Sequence, residues 1–315
     1  MFELARRLAA IGVLGLNRRN AEYTLWYNPR KLYPLVDDKL RTKELALRAG
    51  IAVPELYAVV QGEYQLRSLP DLLRHYSDFV IKPAYGSGGD GILVISGRLK
   101  DLYRKHDGLL ISHEELRHHV ANVVSGLYSL GGQPDKALIE YRVRPDPLFE
   151  TVSYQGVPDV RVIVFLGVPV MSMVRLPTRM SGGRANLHQG ALGAGVDIAT
   201  GTTLTAVWGN DIVTEHPDTG GPITGLRIPD WADLLRLAAN CYELSGLGYQ
   251  GVDIVLDKDK GALILELNAR PGLNIQIANH AGLLPRLNLV EQNHRSLHGV
   301  EERVAFARTH FGAQA

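Results

Sequence analysis

The stretch from Gly251 to Asn274, GVDIVLDKDKGALILELNARPGLN, constrains this chain more than any other. Two apolar runs flank the polar turn Asp257-Lys258-Asp259-Lys260-Gly261, a pattern that predicts a β-hairpin. On the first strand Val252, Ile254 and Leu256 share one face, and Asp253 and Val255 the other. On the return strand Glu266 and Asn268 are two apart and share a face. If the hairpin is buried, the oxygen side chains of Asp253, Glu266 and Asn268 repel one another or go unsatisfied unless a cation joins them. Hard oxygen donors of this kind suit magnesium, which keeps waters and bridges phosphates. The same residues turned to water on a solvated edge hairpin form the other reading, and the hairpin alone does not choose between the two.

The rest of the chain bounds the class. Its 315 residues are 45% hydrophobic and 21% charged, which supplies ample core for two or three lobes. A formal net charge of +1 gives no footprint of a dedicated nucleic-acid binder. No run reaches the roughly 18 apolar residues of a membrane helix, so no membrane span is expected. The start, FELARRLAAIGVLGLNRR, places basic residues before a short apolar stretch but lacks a small-residue cleavage site. It reads as a helix rather than a signal peptide, and the expected compartment is the cytoplasm. The single cysteine, Cys241, excludes an internal disulfide and reads as a small core residue in a helix.

In chain order, residues 1–36 form a short preface ending in the loop YNPRKLYPLV. DDKLRTKELALRAG predicts a helix capped by Asp37 or Asp38 and ended by Gly50. IAVPELYAVV reads as loop then strand, SLPDLLRHYS as a short helix with Ser68 as cap, and DFVIKP as a strand. In the following AYGSGGDGILVIS, Gly86, Gly88 and Gly91 satisfy G-x-G-x-x-G. A dinucleotide fold needs a helix after those glycines, and here a strand follows. A protein kinase carries its lysine on a later strand, whereas Lys82 precedes this loop, and no G-K-[ST] marks a P-loop. What remains is a glycine flap whose backbone N–H groups approach phosphate, with Lys82 aimed at the same charge, or else a flexible hairpin beside an exposed lysine.

SHEELRHHVANVVSGLYSLGG predicts a helix with a Ser112–Glu115 capping box. A zinc-protease motif fails there because Arg117 stands where the second histidine belongs, and His113 and His118 lie about 140° apart on a helix. KALIEYRV reads as a strand and RPDPLFETVSYQGVPDV as a proline-bearing loop. DVRVIVFLG and VPVMSMVRL form a hairpin around Gly167. Arg161 and Arg175 interrupt its apolar runs. Buried guanidiniums need anionic partners, whether phosphate, substrate carboxylate or a structural ion pair. TRMSGGRANLHQGALGAGVDIATG is a long glycine-rich loop of the functional kind, with His188 either a base or simply exposed. DWADLLRLAANCYELSG is a helix with Asp230 as cap, and the tail from Leu283 is helical.

The order DDKLRTKELALRAGI, FVIKPAYGSGGDGI, IEYRV, DVRV, NLHQG, GVDIVLD and LELNARPG resembles the ATP-grasp superfamily over residues 37 to 282. It resembles most the glutamate-ligase branch, the RimK-like, alpha-L-glutamate-ligase-related proteins. The resemblance implies an α+β fold of two α+β lobes gripping ATP, and segments 1–36, 37–143 (first lobe, with helix and flap) and 144–315 (second lobe, with the metal hairpin). Lys39 and Lys82 match the phosphate-contacting lysines, and Gly86, Ser87, Gly88, Gly89 and Gly91 the flap. Glu140, Tyr141 and Val143 match the hinge whose backbone contacts adenine. Asp253, Glu266 and Asn268 match the magnesium ligands, where manganese is a substitute. Arg161 and Arg175 match basic residues near the phosphate and the acyl intermediate. Asn186, Leu187 and His188 match the ligases' asparagine-leucine-histidine motif, and Arg270 and Gly272 lie in the loop lining the acceptor pocket. Three features depart from the pattern. The separate N-terminal domain is reduced to some 36 residues. The Pro145–Pro158 loop is unusually long. Arg270 stands in place of a small residue, which favours an anionic group there.

The implied activity is an ATP-dependent, ADP-forming carbon–nitrogen ligase acting through an acyl phosphate, adding glutamate or another amino acid. Arg175, Arg270, Asn186 and His188 are its candidate catalytic residues. Carboxylate and amine substrates, small or peptide-borne, are the expected partners, and a homo-oligomer is compatible with the sequence. A phosphotransferase on the same fold and a non-catalytic nucleotide-binding module are the competing readings.

Overall fold

The structure, a computed structural model, describes residues 2–86 and 88–312. It divides into a smaller unit, Asp38–Glu44 with Val53–Val143, and a larger one, Met1–Asp37 with Leu45–Ala52 and Arg144–Ala315.

In the smaller unit β1 (Leu56–Val60), β2 (Phe79–Pro83), β3 (Leu93–Leu99), β4 (Leu102–Lys105), β5 (Leu110–Ile111) and β6 (Ala137–Glu140) form one sheet. Their order is β1-β6-β2-β3-β4-β5, every pair antiparallel. The expected 136–143 strand therefore stops at Glu140. The period-2 alternation of β2 sends Phe79 and Ile81 into a core with Leu116, Val120 and Val123 of the His113–Val124 helix. That helix starts on the expected capping box, with both Ser112–Glu115 bonds present. Lys82 pairs with Leu138 and so shares its face. Leu138 packs with Leu40 of the Lys39–Arg48 helix, so Lys82 lies on that helix's side of the sheet. Asp38 caps the helix, its Oδ1 accepting from the Leu40 N–H at 2.9 Å.

The larger unit holds β7 (Asp159–Phe165), β8 (Val168–Leu176), β9 (Leu192–Val196), β10 (Thr203–Trp208), β11 (Asp211–Val213), β12 (Tyr249–Asp257) and β13 (Gly261–Asn268). They are ordered β11-β10-β9-β8-β7-β12-β13, again antiparallel throughout. The β7–β8 hairpin turns through Leu166 and Gly167 with φ of 48° and 80°, the two consecutive left-handed residues a tight turn of this twist needs. The Trp231–Ser245 helix packs on β7, β8 and β12. Asp230, expected as its cap, sits at φ 48° without a side-chain capping bond, and Ser68 likewise makes none on the Leu69–Leu73 helix.

The N-terminal preface is more helical than its sequence suggests. It runs through Phe2–Ala10, Leu16–Arg18, a π-helical turn at Arg19–Thr24, Leu25–Tyr27, a 3-10 turn at Arg30–Leu32 and Pro34–Asp37. Tertiary contacts decide this. The Tyr23 ring meets Phe165 and Tyr249 with centroids at 5.5 and 5.9 Å. The Asn28 amide donates to the carbonyls of Tyr249 (2.6 Å) and Ala269 (2.9 Å) and accepts from the Tyr249 N–H.

Candidate active site

A row of charge crosses four strands of the larger unit. Asp159 on β7 lies opposite Arg175 on β8. Arg161 on β7 lies opposite Asp253 on β12, and Asp253 opposite Glu266 on β13. Directly opposed residues of antiparallel strands point to the same side, so the row occupies one face of the sheet. A Cβ on Gly195 would meet the Ala278 carbonyl at 2.5 Å, and one on Gly193 would meet the Leu187 side chain at 2.8 Å. Because Gly193 pairs with Arg175, the Ile275–Ala278 turn and the loop at Leu187 lie over this same face.

Arg161 forks onto Asp253, Nε donating to Oδ1 at 2.7 Å and Nη2 to Oδ2 at 2.6 Å. Arg175 donates through Nε to Asp159 Oδ1 at 2.6 Å and through Nη2 to Asp253 Oδ2 at 2.9 Å. The Asn268 amide adds a bond to the same oxygen at 3.1 Å. Burial pushes the Asp159 carboxyl up to about 6 despite Arg175. At Asp253 burial pushes the same way, but Arg161 and Arg175 outweigh it and hold the carboxyl down at about 2. Both oxygens of Asp253, which the sequence assigns to a metal alone, are thus taken by guanidinium N–H groups. A carboxylate only 2% exposed requires such partners.

Arg161 and Arg175 pair with Asp253 and Asp159, and Glu266 stands next in the row beside Asp253. The carboxylate oxygens of Asp253 and Glu266 and the amide oxygen of Asn268 are hard donors, the chemistry a magnesium ion fits. Among the described residues no group of three or more His, Cys, Asp or Glu side chains could hold a metal ion, and of the expected set Asn268 contributes an amide that gives its N–H to Asp253.

The smaller unit carries a surplus of positive charge. Glu140, 3% exposed, is held between two ammonium groups: Lys43 Nζ stands 2.8 Å from its Oε2, and Lys82 is bonded to its Oε1. Burial works against the carboxylate, but Lys82 and Lys43 overcome it and lower its pKa. Burial also lowers that of Lys43. Lys39 Nζ donates to the Gly86 carbonyl at the root of the glycine loop, at 2.5 Å. The loop is anchored on both sides. Gly86 bridges to Ser129, and the His119 Nε2 lies 3.0 Å from the Gly91 carbonyl. Gly91 has φ +74° and a Cβ there would meet the Tyr128 ring at 2.6 Å, so both conformation and space demand glycine. Ser87 lies outside the described residues.

The remaining expected residues are less gathered. Glu140 turns its side chain toward Lys43 and Lys82, while the Tyr141 N–H, expected at a nucleotide base, donates to the Glu55 carbonyl at 2.8 Å. Val143 is buried. Asn186 caps the Leu187–Gln189 turn by accepting from the His188 N–H at 3.0 Å, and the exposed His188 makes no side-chain bond to the charge row. Arg270 lies over the ring of Tyr33, 5.0 Å from its centroid. Two residues of these clusters stand out only in the folded chain. Lys43 reads as a solvated helix lysine, although its i+4 spacing from Lys39 places both on one face. Asp159 reads as a loop end, although it lies two residues from Arg161 and hence on its face of β7.

Among solved structures the chain is similar to the ATP-grasp ligase PsnB complexed with its minimal precursor, with TM-score 0.45, 15% identity, 85% of this chain and 63% of that one. It is similar to the D-cycloserine synthetase DcsG, with TM-score 0.48, 17% identity, 84% of this chain and 73% of that one. It is also similar to the D-alanine–D-alanine ligase of Bacillus anthracis complexed with ATP, with TM-score 0.45, 14% identity, 89% of this chain and 67% of that one. The chain thus spans under two thirds of the length of PsnB. No curated protein matches it. The model of one family, sugar-transfer associated ATP-grasp, matches residues 18–292. That match covers most of the chain, and the α+β protein with its two antiparallel sheets belongs to the sugar-transfer associated ATP-grasp family.

Proposed function

We propose that the chain is an ATP-dependent, ADP-forming ligase that joins a carboxylate to an amine. In this reading a substrate carboxylate oxygen attacks the γ-phosphorus of ATP, giving an acyl phosphate and ADP. The amine nitrogen then attacks the acyl carbon, and phosphate leaves with the C–O bond pair. The observation that carries the reading is the row Arg175–Asp159, Arg161–Asp253–Glu266 in an ATP-grasp chain, two fixed guanidiniums on one sheet face with the oxygen donors of Asp253, Glu266 and Asn268. Asp253, Glu266 and Asn268 would hold magnesium, or manganese in its place, and the bound ion would offset charge on the phosphates.

The chain's own residues do the rest. Arg161 and Arg175, locked by carboxylates, present cationic charge that needs no reorganisation when a phosphate or oxyanion forms. Lys39, Lys82 and the glycines from Gly86 to Gly91 take the triphosphate, with Lys82 oriented by Glu140. Tyr141 and Val143 offer main-chain groups to the base. Asn186 shapes the loop that carries Leu187 and His188. No side chain is assigned as a nucleophile. The family description points to a sugar-linked substrate and the glutamate-ligase motifs to an amino-acid donor; an amide between the two satisfies both.

The test combines the protein with ATP, magnesium, a pool of amino acids and sugar acids, and hydroxylamine in place of the amine. Hydroxamate formed together with ADP, dependent on one acid of the pool, is the expected result and names the donor. ADP without hydroxamate overturns the ligase in favour of phosphoryl transfer to a hydroxyl.

A further inference from the structure

A second cationic centre lies outside the charge row. Arg19, in the π-helical turn of the N-terminal segment, is only 6% exposed. Its partners are neutral: Nε donates to Asn20 Oδ1 at 2.9 Å and Nη1 to the Pro271 carbonyl at 2.7 Å. No carboxylate pairs with it among the described residues. Arg270, one residue before that proline and two after Asn268, is exposed and rests on the face of Tyr33. It too has no carboxylate partner among the described residues. The two guanidiniums feel each other. Burial lowers the pKa of Arg19, the Tyr249 phenol opposes the shift, and the charge of Arg270 adds to it. A buried cation without a counter-charge, beside a second cation, is costly unless an anion joins them.

We infer that Arg19 and Arg270, with Tyr33 as the platform of Arg270, form a subsite for an acidic group of a substrate, a carboxylate or phosphate that the reaction does not consume. This rests on the ligase reading only for its role, not for its existence. Arg270 follows Asn268 by two residues, within about 7 Å along an extended chain. The acidic group is therefore carried by a molecule that reaches the reacting centre. The same geometry gives the N-terminal segment a task. Arg19 ties it to the Pro271 loop and Asn28 ties it to Ala269, so this short segment supplies one wall of the subsite. The planar fork of each guanidinium matches the two-oxygen edge of a carboxylate or phosphate.

The test is binding in the presence of a saturating non-hydrolysable ATP analogue and magnesium, so that the phosphate-binding residues are filled. Calorimetry compares phosphoethanolamine and β-alanine with ethanolamine, and glutarate with butyrate. In at least one set the acidic member is expected to bind about 10-fold tighter or more, and the set that responds tells whether the amine or the carboxylate substrate bears the group. Arg270→Gln and Arg19→Lys are expected to bring the members of that set within about threefold of each other. Equal binding of all members by the wild type overturns the inference, as does a preference that survives in folded Arg270→Gln. If Arg19→Lys fails to fold, Arg270→Gln and Tyr33→Leu decide alone. A preference without any hydroxamate or ADP leaves the subsite standing and removes the ligase. Hydroxamate without any preference does the reverse.

Discussion

The two charged clusters are built by the same device in different proportions. In the smaller unit one carboxylate, Glu140, serves two ammonium groups, and the cluster keeps one positive charge. In the larger unit two guanidiniums serve two carboxylates, Asp159 and Asp253, with Glu266 next in the row. The surplus fits the first cluster for an anion such as phosphate, and the hard oxygen donors fit the second for a cation. The types of cation differ accordingly. Lysines offer compact point charges on mobile stems, whereas the arginines fork onto carboxylates and stay fixed.

The largest expected effect comes from the carboxylate row. Glu266→Gln keeps size but removes the carboxylate charge. ATP turnover, followed as ADP release, should fall at least about 100-fold, with the melting curve unchanged or raised. Turnover within a few-fold of wild type would mean that the third carboxylate has no part in holding a cation.

The second effect is on stability and belongs to the positive cluster. Glu140→Leu leaves Lys43 and Lys82 buried without a counter-charge and should cost about 3–5 kcal/mol in urea unfolding. Lys43→Met leaves the one-to-one pair of Glu140 with Lys82 and should cost far less. Equal losses in the two variants would show that the cluster is a balanced structural unit and that the contrast between the clusters is empty.

How far these clusters are legible in the sequence follows from where their partners lie. The β12–β13 hairpin is local, and its alternation alone puts Asp253, Glu266 and Asn268 together. The glycine loop between strands is equally plain, since a strand rather than a helix follows Gly91. Asp253 reads as a metal ligand only, because the register that sets Arg161 opposite it joins residues 92 positions apart. Glu140 passes for a hinge residue because its partners, Lys43 and Lys82, come from a helix and a strand far upstream. The helices of residues 16–37 lack strong periodicity and depend on the aromatic packing of Tyr23 against Phe165 and Tyr249. Arg19 gives no signal, since an arginine in a polar helical stretch is ordinarily solvated.

A third expectation tests how firmly the flap beside the positive cluster is held. Gly91→Ala introduces a Cβ against the Tyr128 ring at a φ of +74° and should cost about 1–3 kcal/mol. Nucleotide affinity should fall with it, because the flap must shift to relieve the contact. A neutral substitution would show that the flap root yields easily and that its glycines serve flexibility rather than close approach.

The smallest effect concerns the other side of that root. His119 bonds the Gly91 carbonyl, lies tilted against the Tyr128 ring and is more than half-buried. Burial lowers its pKa below the ordinary 6.5. The Gly91 carbonyl opposes the shift, and the charges of His118 and Lys105 add to it. A histidine whose folded pKa is lowered contributes stability in its neutral form. That contribution is complete above the unfolded value near 6.5 and is lost as pH falls through the lower folded value. The difference in unfolding free energy between wild type and His119→Gln should therefore be level above about pH 7.5 and should shrink toward pH 5, by about 1 kcal/mol or less. The carboxylate row titrates in the same range, because burial pushes the Asp159 carboxyl up to about 6, so the difference between wild type and His119→Gln, rather than pH alone, isolates the histidine. A difference that grows on acidification would mean that the histidine is held protonated against the carbonyl, adding a cation to the smaller unit and enlarging the contrast rather than bordering it.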